Sequence, residues 1–200
     1  MPEPSARLES ICVYCGSSEG APTAWRAAAT DLGRILANQG LRLVYGGGGV
    51  GLMGECARSA RAAGGSVLGV IPAFLVPREA GSAGADTMVV KSMHERKLMM
   101  FEQADGFAIL PGAIGTLEEV VELLSWRRLA LHAKPIVFFN PDGFWDPLFD
   151  LFGAFIEQRM LPGEFDQCWR AVTEVRDILP ALRAMPSSAM RTIPVIATLI

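Results

Sequence analysis

Short apolar runs alternate with longer amphipathic stretches along the chain, and that rhythm predicts the fold. Ser10 to Cys15 reads as a first strand, ending in Gly16-Ser17-Ser18. Pro22 to Asn38 reads as a helix, with Pro22 suited to a first helical turn and Gly40 stopping it. Leu41 to Tyr45 reads as a second strand, and Gly51 to Ala63 as a second helix closed by Gly64-Gly65. Ser66 to Ile71 is a third strand, broken by Pro72 and followed by a small-residue loop from Glu79 to Ala85. Asp86 to Val90, Gly106 to Leu110 and Pro135 to Phe139 continue the strands. Met93 to Ala104, Gly115 to Leu131 and Asp146 to Arg159 continue the helices, and weaker patterns run on to Leu182. Strands that are short, apolar on both faces and separated by helices predict a doubly wound α/β protein. Its sheet should be mostly parallel, with helices on both faces. Residues 1–184 read as one domain, and the tail 185–200, with two prolines and an apolar end, has no assigned structure.

In such sheets ligands bind outside the carboxyl ends of the strands, near the point where strand order reverses. The informative loops are then those after strands one, two, four and five. They hold Gly16-Ser17-Ser18, Gly46 to Gly54, Met93 to Lys97 and Pro111 to Thr116.

Composition narrows the partners. The 200 residues are 50% hydrophobic and carry a net charge of −3. That argues against a polyanion held by bulk charge, so no nucleic-acid polymer is expected. The longest charge-free run, Ala62 to Pro77, is 16 residues and contains glycines and prolines. A membrane span needs roughly 20 apolar residues, so no membrane partner is expected. The amino-terminal residues lack a signal peptide's apolar segment, and a cytoplasmic location is expected. Cys12 and Cys15 form a C-x-x-C, but on a strand their side chains point to opposite faces. They read as small buried thiols rather than a redox pair. Two histidines without a cysteine or carboxylate cluster offer no metal site.

Three segments could carry chemistry. Gly46-Gly-Gly-Gly-Val-Gly51 holds five of the chain's 21 glycines and matches G-x-G-x-x-G. Bare backbone lets N–H groups approach a phosphate at a helix start, and Gly54 would permit the same. The plain alternative is a tight turn without a ligand. The motif follows the second strand and no acidic residue lies about 20 positions on, which argues against NAD. No Gly-Lys-Ser/Thr follows either, which argues against a nucleoside-triphosphate loop.

The second segment is Pro111 to Glu119, another loop running into a helix start. Thr116 could cap that helix or touch a phosphate. Leu117, Val120, Val121 and Leu124 follow the i, i+3, i+4, i+7 pattern of a buried stripe. That places Glu119 on the opposite side, outside the core; the plain alternative is a solvated glutamate near a helix N-terminus. The third segment is Met93-His-Glu-Arg-Lys97. Arg96 and Lys97 fall in the first turn of a helix, where cations are disfavoured by about 0.3–1 kcal/mol. A negative partner, phosphate or carboxylate, would explain them; a mobile surface pair is the alternative. His94 reads as a capping or packing residue, and His132 as part of the loop before the sixth strand.

Taken in order, these three segments resemble the Lonely Guy family of cytokinin riboside 5′-monophosphate phosphoribohydrolases, whose signature is P-G-G-x-G-T-x-x-E. Many relatives once carried a lysine decarboxylase label, but no lysine here is singled out for that chemistry. The similarity runs from about Ile11 to at least Leu151. The resemblance implies a Rossmann-like homodimer that cleaves the bond between base and ribose 5-phosphate in a nucleoside monophosphate, a cytokinin riboside monophosphate or AMP. It implies no metal and no organic cofactor. Arg96 and Glu119 match the family's catalytic pair. Gly46, Gly47, Gly48, Gly51, Gly112, Ala113, Gly115 and Thr116 match its phosphate- and nucleotide-binding positions, with Met93 and Lys97 as further candidates. A carrier of nucleotide or molybdenum cofactor, sharing the fold but without catalysis, is the alternative.

One position departs from the signature: its second glycine is Ala113. If a positive φ is needed there, alanine costs about 1 kcal/mol. If phosphate must approach closely, the methyl group weakens binding; if neither holds, the change is silent. Arg127 and Arg128, later in the same helix, have no assigned role.

Overall fold

The computed structural model describes residues 8–77 and 86–185. The loop expected from Glu79 to Ala85 and residues 186–200 of the tail lie outside the described residues. Seven parallel strands form one sheet in the order β4-β3-β2-β1-β5-β6-β7. They are β1 (Ser10–Tyr14), β2 (Arg42–Tyr45), β3 (Val67–Pro72), β4 (Thr87–Val90), β5 (Gly106–Ile109), β6 (Ile136–Phe139) and β7 (Arg170–Val172). The helices are α1 (Thr23–Asn38), α2 (Gly51–Ala62), α3 (Met93–Glu102), α4 (Ile114–Arg128), α5 (Asp146–Glu157) and α6 (Ile178–Ala184). This is the doubly wound α/β fold that the alternating pattern predicts.

Period-two alternation splits the core into two layers. Ile11, Val13, Leu43, Tyr45, Ala108, Leu110, Val137 and Phe139 face α1, α2 and α6. Cys12, Tyr14, Val44, Phe107, Ile109, Ile136 and Phe138 face α3, α4 and α5. Cys12 and Cys15 therefore lie on opposite faces of the sheet, both buried and unpaired. Burial pushes both thiols well above their ordinary range, which leaves them unreactive.

Several boundaries move by a few residues. Pro22 is the residue before α1 rather than part of its first turn. Helix α4 begins at Ile114 and ends at Arg128, short of Leu131. Two residues beyond that end, Ala130 takes a left-handed φ of 57°. Helix α5 likewise ends at Glu157, with Arg159 at 58°. Glycine is the residue that usually signals such stops, and neither position offers it.

Strand order reverses between β1 and β5, which pair in register from Ile11 with Gly106 to Tyr14 with Ile109. The pairing continues past the strands. Leu110 N donates to Tyr14 O at 2.9 Å, and Gly16 N donates to Pro111 O at 3.0 Å. The two loops at the switch point are thus held against each other by backbone bonds.

Candidate active site

A cavity of about 750 Å³ opens at the carboxyl end of the sheet. Cys15, Gly16, Ser17 and Ser18 enter it from the loop after β1, and Pro111 to Thr116 from the loop after β5 and the start of α4. Helix α2 adds Leu52 and Met53, helix α3 adds Met93 and Arg96, and α4 adds Glu118 and Glu119. Trp25 and Phe144 form an apolar wall, edge to face with ring centroids 5.0 Å apart. A larger, more polar cleft lies at the opposite end of the sheet, among Ser10, Arg42, Gln103 and Asp105. It lies away from the three motifs, and in an open α/β sheet ligands bind at the carboxyl end.

Arg96 and Glu119 meet at the floor of the cavity. Arg96 Nη2 lies 3.9 Å from Glu119 Oε1, and the two side chains are only 10% and 8% exposed. This corrects one expectation and decides against one alternative. Glu119 belongs to the buried face of α4, with Thr116, Val120, Leu123 and Leu124, while Val121 is 47% exposed. The stripe is rotated from the expected one because a buried ion-pair partner takes a place that a hydrophobic count assigns to an apolar side chain. Arg96 and Lys97 are buried too, not a mobile surface pair, and stand fourth and fifth in α3, which starts at Met93 as expected. The cap of α3 is Ser92, whose Oγ accepts from Glu95 N at 3.1 Å; His94 is exposed.

Burial pushes the Glu119 carboxyl up to about 7, against the pull of the Arg96 guanidinium toward lower values. Arg96 Nε is buried with no partner among the described residues, and Met93 Sδ lies 3.9 Å from Nη1. The guanidinium therefore retains an unused donor beside a carboxyl that can exchange a proton near neutrality.

The glycine run lies behind the cavity. Gly46, Gly47, Gly48 and Gly51 are buried and are not among the residues that line the cavity. A methyl group at Gly46 would lie 1.9 Å from Arg96 Nη2, so this glycine makes room for the guanidinium. Gly47 and Gly51 have φ of 79° and 61°, and a methyl on Gly51 would run into the Ser17 backbone at 2.5 Å. Lys97 also lies outside the cavity lining, bonded instead to Glu118 and Glu122.

Gly112, Ala113, Gly115 and Thr116 do line the cavity. Ala113 precedes α4 in an extended conformation, φ −96°, so the missing glycine costs no backbone strain. Ala113 provides no side-chain cap, so the first N–H groups of α4 are open to an anion. Thr116 is the third helical residue and not the cap; its side chain fills the space beside Gly112, where a methyl would lie 2.2 Å from its Oγ1. Arg127 Nη1 bonds Lys134 O at 2.8 Å, which ties the end of α4 to the loop before β6. His132 lies in that loop, with Nε2 3.0 Å from Leu123 O, and burial pushes it down to about 4.

Of the residues lining the cavity, Ser17, Ser18, Trp25, Leu52, Met53 and Phe144 are absent from the candidates derived from sequence. The carboxyl-end rule already pointed to the first two. Trp25 and Phe144 carry no motif; only the position of Phe144, just after β6, could have flagged it.

The fold and site define a doubly wound α/β protein with a buried acid–guanidinium pair at its topological switch point. The family model described as "Possible lysine decarboxylase" matches residues 53–182. The cytokinin riboside 5′-monophosphate phosphoribohydrolase LOG of Oryza sativa subsp. japonica is 44% identical over 162 residues, 80% of this chain and 65% of that protein. The cytokinin riboside 5′-monophosphate phosphoribohydrolase LOG2 of Arabidopsis thaliana is 45% identical over 149 residues, 74% of this chain and 70% of that one. The chain belongs to this family, the Lonely Guy family, and its matches span about two thirds of those relatives' length. Among solved structures, a molybdenum cofactor carrier protein from Chlamydomonas reinhardtii aligns with a TM-score of 0.66 at 21% identity, over 90% of this chain and 98% of that one. The molybdenum cofactor binding protein of Rippkaea orientalis aligns at 0.63 and 21%, over 88% and 96%. At that identity the likeness speaks for the fold alone. Among the described residues, no helix is long and apolar enough to cross a membrane.

Gly46→Ala is expected to expel the guanidinium from its seat, because the end of Arg96 stands nearest the added methyl group. Calorimetry with a ligand-binding titration checks this; unaltered nucleotide binding would remove Gly46 from the site. The raised carboxyl of Glu119 gives a second expectation. The contribution of Glu119 to stability is full below the ordinary glutamate range and is lost as pH rises through about 7. Glu119→Gln, which resembles the protonated acid, should therefore stabilise the protein at pH 8 by up to about 3 kcal/mol. Denaturation at pH 8 and pH 4 should show the difference at the first and not at the second.

Proposed function

We propose that this protein hydrolyses the N-glycosidic bond of a nucleoside 5′-monophosphate, a cytokinin riboside monophosphate or AMP, releasing free base and ribose 5-phosphate. The observation that carries this reading is the buried Arg96–Glu119 pair in the switch-point cavity. The names of the most similar relatives support it. Departure of the base leaves positive charge on the sugar, and an ionised carboxylate can stabilise it and take a proton from the attacking water. Glu119 performs this role. A guanidinium is a poor proton donor, so Arg96 acts by electrostatics and hydrogen bonding rather than as an acid. Its guanidinium, at the cavity floor, binds or orients the nucleotide. The 5′-phosphate sits at the uncapped start of α4, over Gly112, Ala113, Gly115 and Thr116. The base, with or without an apolar substituent, lies along Trp25, Phe144, Leu52 and Met53. A carrier protein would have no use for a proton-exchanging acid buried beside a guanidinium.

The enzyme acts in the cytoplasm as a homodimer. Support for self-association comes from Val89, Met93, Ile114 and Val121, large apolar residues exposed on and near the start of α3 and along α4.

Incubation with AMP and with N6-isopentenyladenosine 5′-monophosphate should release base and ribose 5-phosphate, and Glu119→Gln should lower turnover by 10²-fold or more. No base release from a panel of nucleoside monophosphates would sink the reading. Because the working form of Glu119 is ionised, kcat/KM should fall as pH drops below about 7. A flat profile between pH 5.5 and 8 would remove Glu119 as the base.

A further inference from the structure

Two adjacent cations on α3 face a run of carboxylates on α4. Arg96 meets Glu119, while Lys97 Nζ bonds Glu118 Oε1 and lies 3.0 Å from Glu122 Oε2. Glu118 and Glu122 are four residues apart, so they share one face of α4 and flank Glu119 along it. The Lys97 side chain is 6% exposed, although Glu118 and Glu122 are 53% and 28% exposed. An ammonium buried to that degree is normally costly. Here the two carboxylates offset the loss of water and hold Lys97 above the ordinary lysine range despite burial.

We propose that Lys97 is a positioning residue for Glu119: its clamp on Glu118 and Glu122 fixes α3 against α4 and neutralises the two carboxylates beside the buried acid. The groups facing Glu119 are few. From α3 come Arg96 and Lys97, and from α4 itself Glu118 and Glu122. From β1 and its following residue come Cys12, Tyr14 and Cys15, all pushed well above their ordinary range and so uncharged. Two cations thus stand against three carboxylates. Removal of Lys97 leaves one against three, which favours the protonated form of Glu119. The inference rests on the proposed chemistry for its catalytic meaning, but the electrostatic arrangement can be read without turnover.

The experiment follows the side-chain carboxyl resonance of Glu119 in protein labelled with ¹³C-glutamate, assigned by its loss in Glu119→Gln. Its midpoint should move upward by half a pH unit or more in Lys97→Met and remain in place in Lys97→Arg. It should move downward in Glu122→Gln, where a neighbouring negative charge is gone and Lys97 remains. The acidic limb of kcat/KM should move in the same directions. A midpoint unmoved in Lys97→Met would overturn the proposal. If that variant does not fold, an unmoved midpoint in Glu122→Gln would overturn it equally. Failure of the wild-type protein to release base would count against the enzymatic reading and leave these titrations to decide the role of Lys97.

Discussion

Arg96 and Glu119 are held almost out of water and 3.9 Å apart, too far for a close hydrogen bond. A buried ion pair recovers its desolvation cost only with excellent geometry and further bonds. Here the geometry is loose, one guanidinium nitrogen has no partner among the described residues, and the carboxyl rises to about 7. The pair is therefore a burden on stability that the rest of the fold must carry. It does so with a seven-stranded sheet whose central strands are buried on both faces, where β1 and β5 supply residues such as Ile11, Phe107 and Ile109 with no exposed surface. Local strain and desolvation of this kind concentrate where chemistry is done.

Each part of the surroundings acts on that pair. The backbone bond from Gly16 to Pro111 draws the β1 and β5 loops together, so that the start of α4 opens on the cavity. Ser92 caps α3, and Lys97 joins α3 to α4 one residue beyond Arg96. The helices are thus registered by ionic contacts at their starts and by apolar packing farther along, at Met100, Phe101, Leu123 and Leu124. A small slip between α3 and α4 would alter the Arg96–Glu119 distance before it disturbed the core.

The sequence made much of this legible. Continuous apolar runs such as Ile11 to Cys15 and Ile136 to Phe139 reflect burial on both faces, so the strands and a mostly parallel sheet could be read directly, though not the order of the strands. The motifs pointed to Arg96 and Glu119, and the structure brings these two together. What could not be read was the side of α4 on which Glu119 lies. A periodicity count treats a carboxylate as polar and sends it to solvent; it has no means of representing a guanidinium on another helix that makes burial tolerable. The Trp25–Phe144 wall was hidden for a related reason. Neither residue belongs to a motif, and their proximity exists only once α1 and the segment after β6 are folded onto one edge of the cavity.

The glycine run shows how a motif can also serve the packing around a site. Bare backbone at a helix start suggests direct phosphate contact, and the start of α4 retains that geometry at Gly112 and Gly115. The run from Gly46 to Gly51 lies behind the cavity, and its missing side chains leave room there. Gly46 lacks a side chain where the Arg96 guanidinium lies, and Gly51 lacks one where the Ser17 loop passes. Its glycines remove atoms so that the Arg96 guanidinium and the loop after β1 can occupy the edge of the cavity. On this view the tolerance for substitution is set by what each missing Cβ makes room for. Ala113, extended and exposed, displaces nothing of that kind, which is why an alanine can stand there while Gly46 has no such freedom.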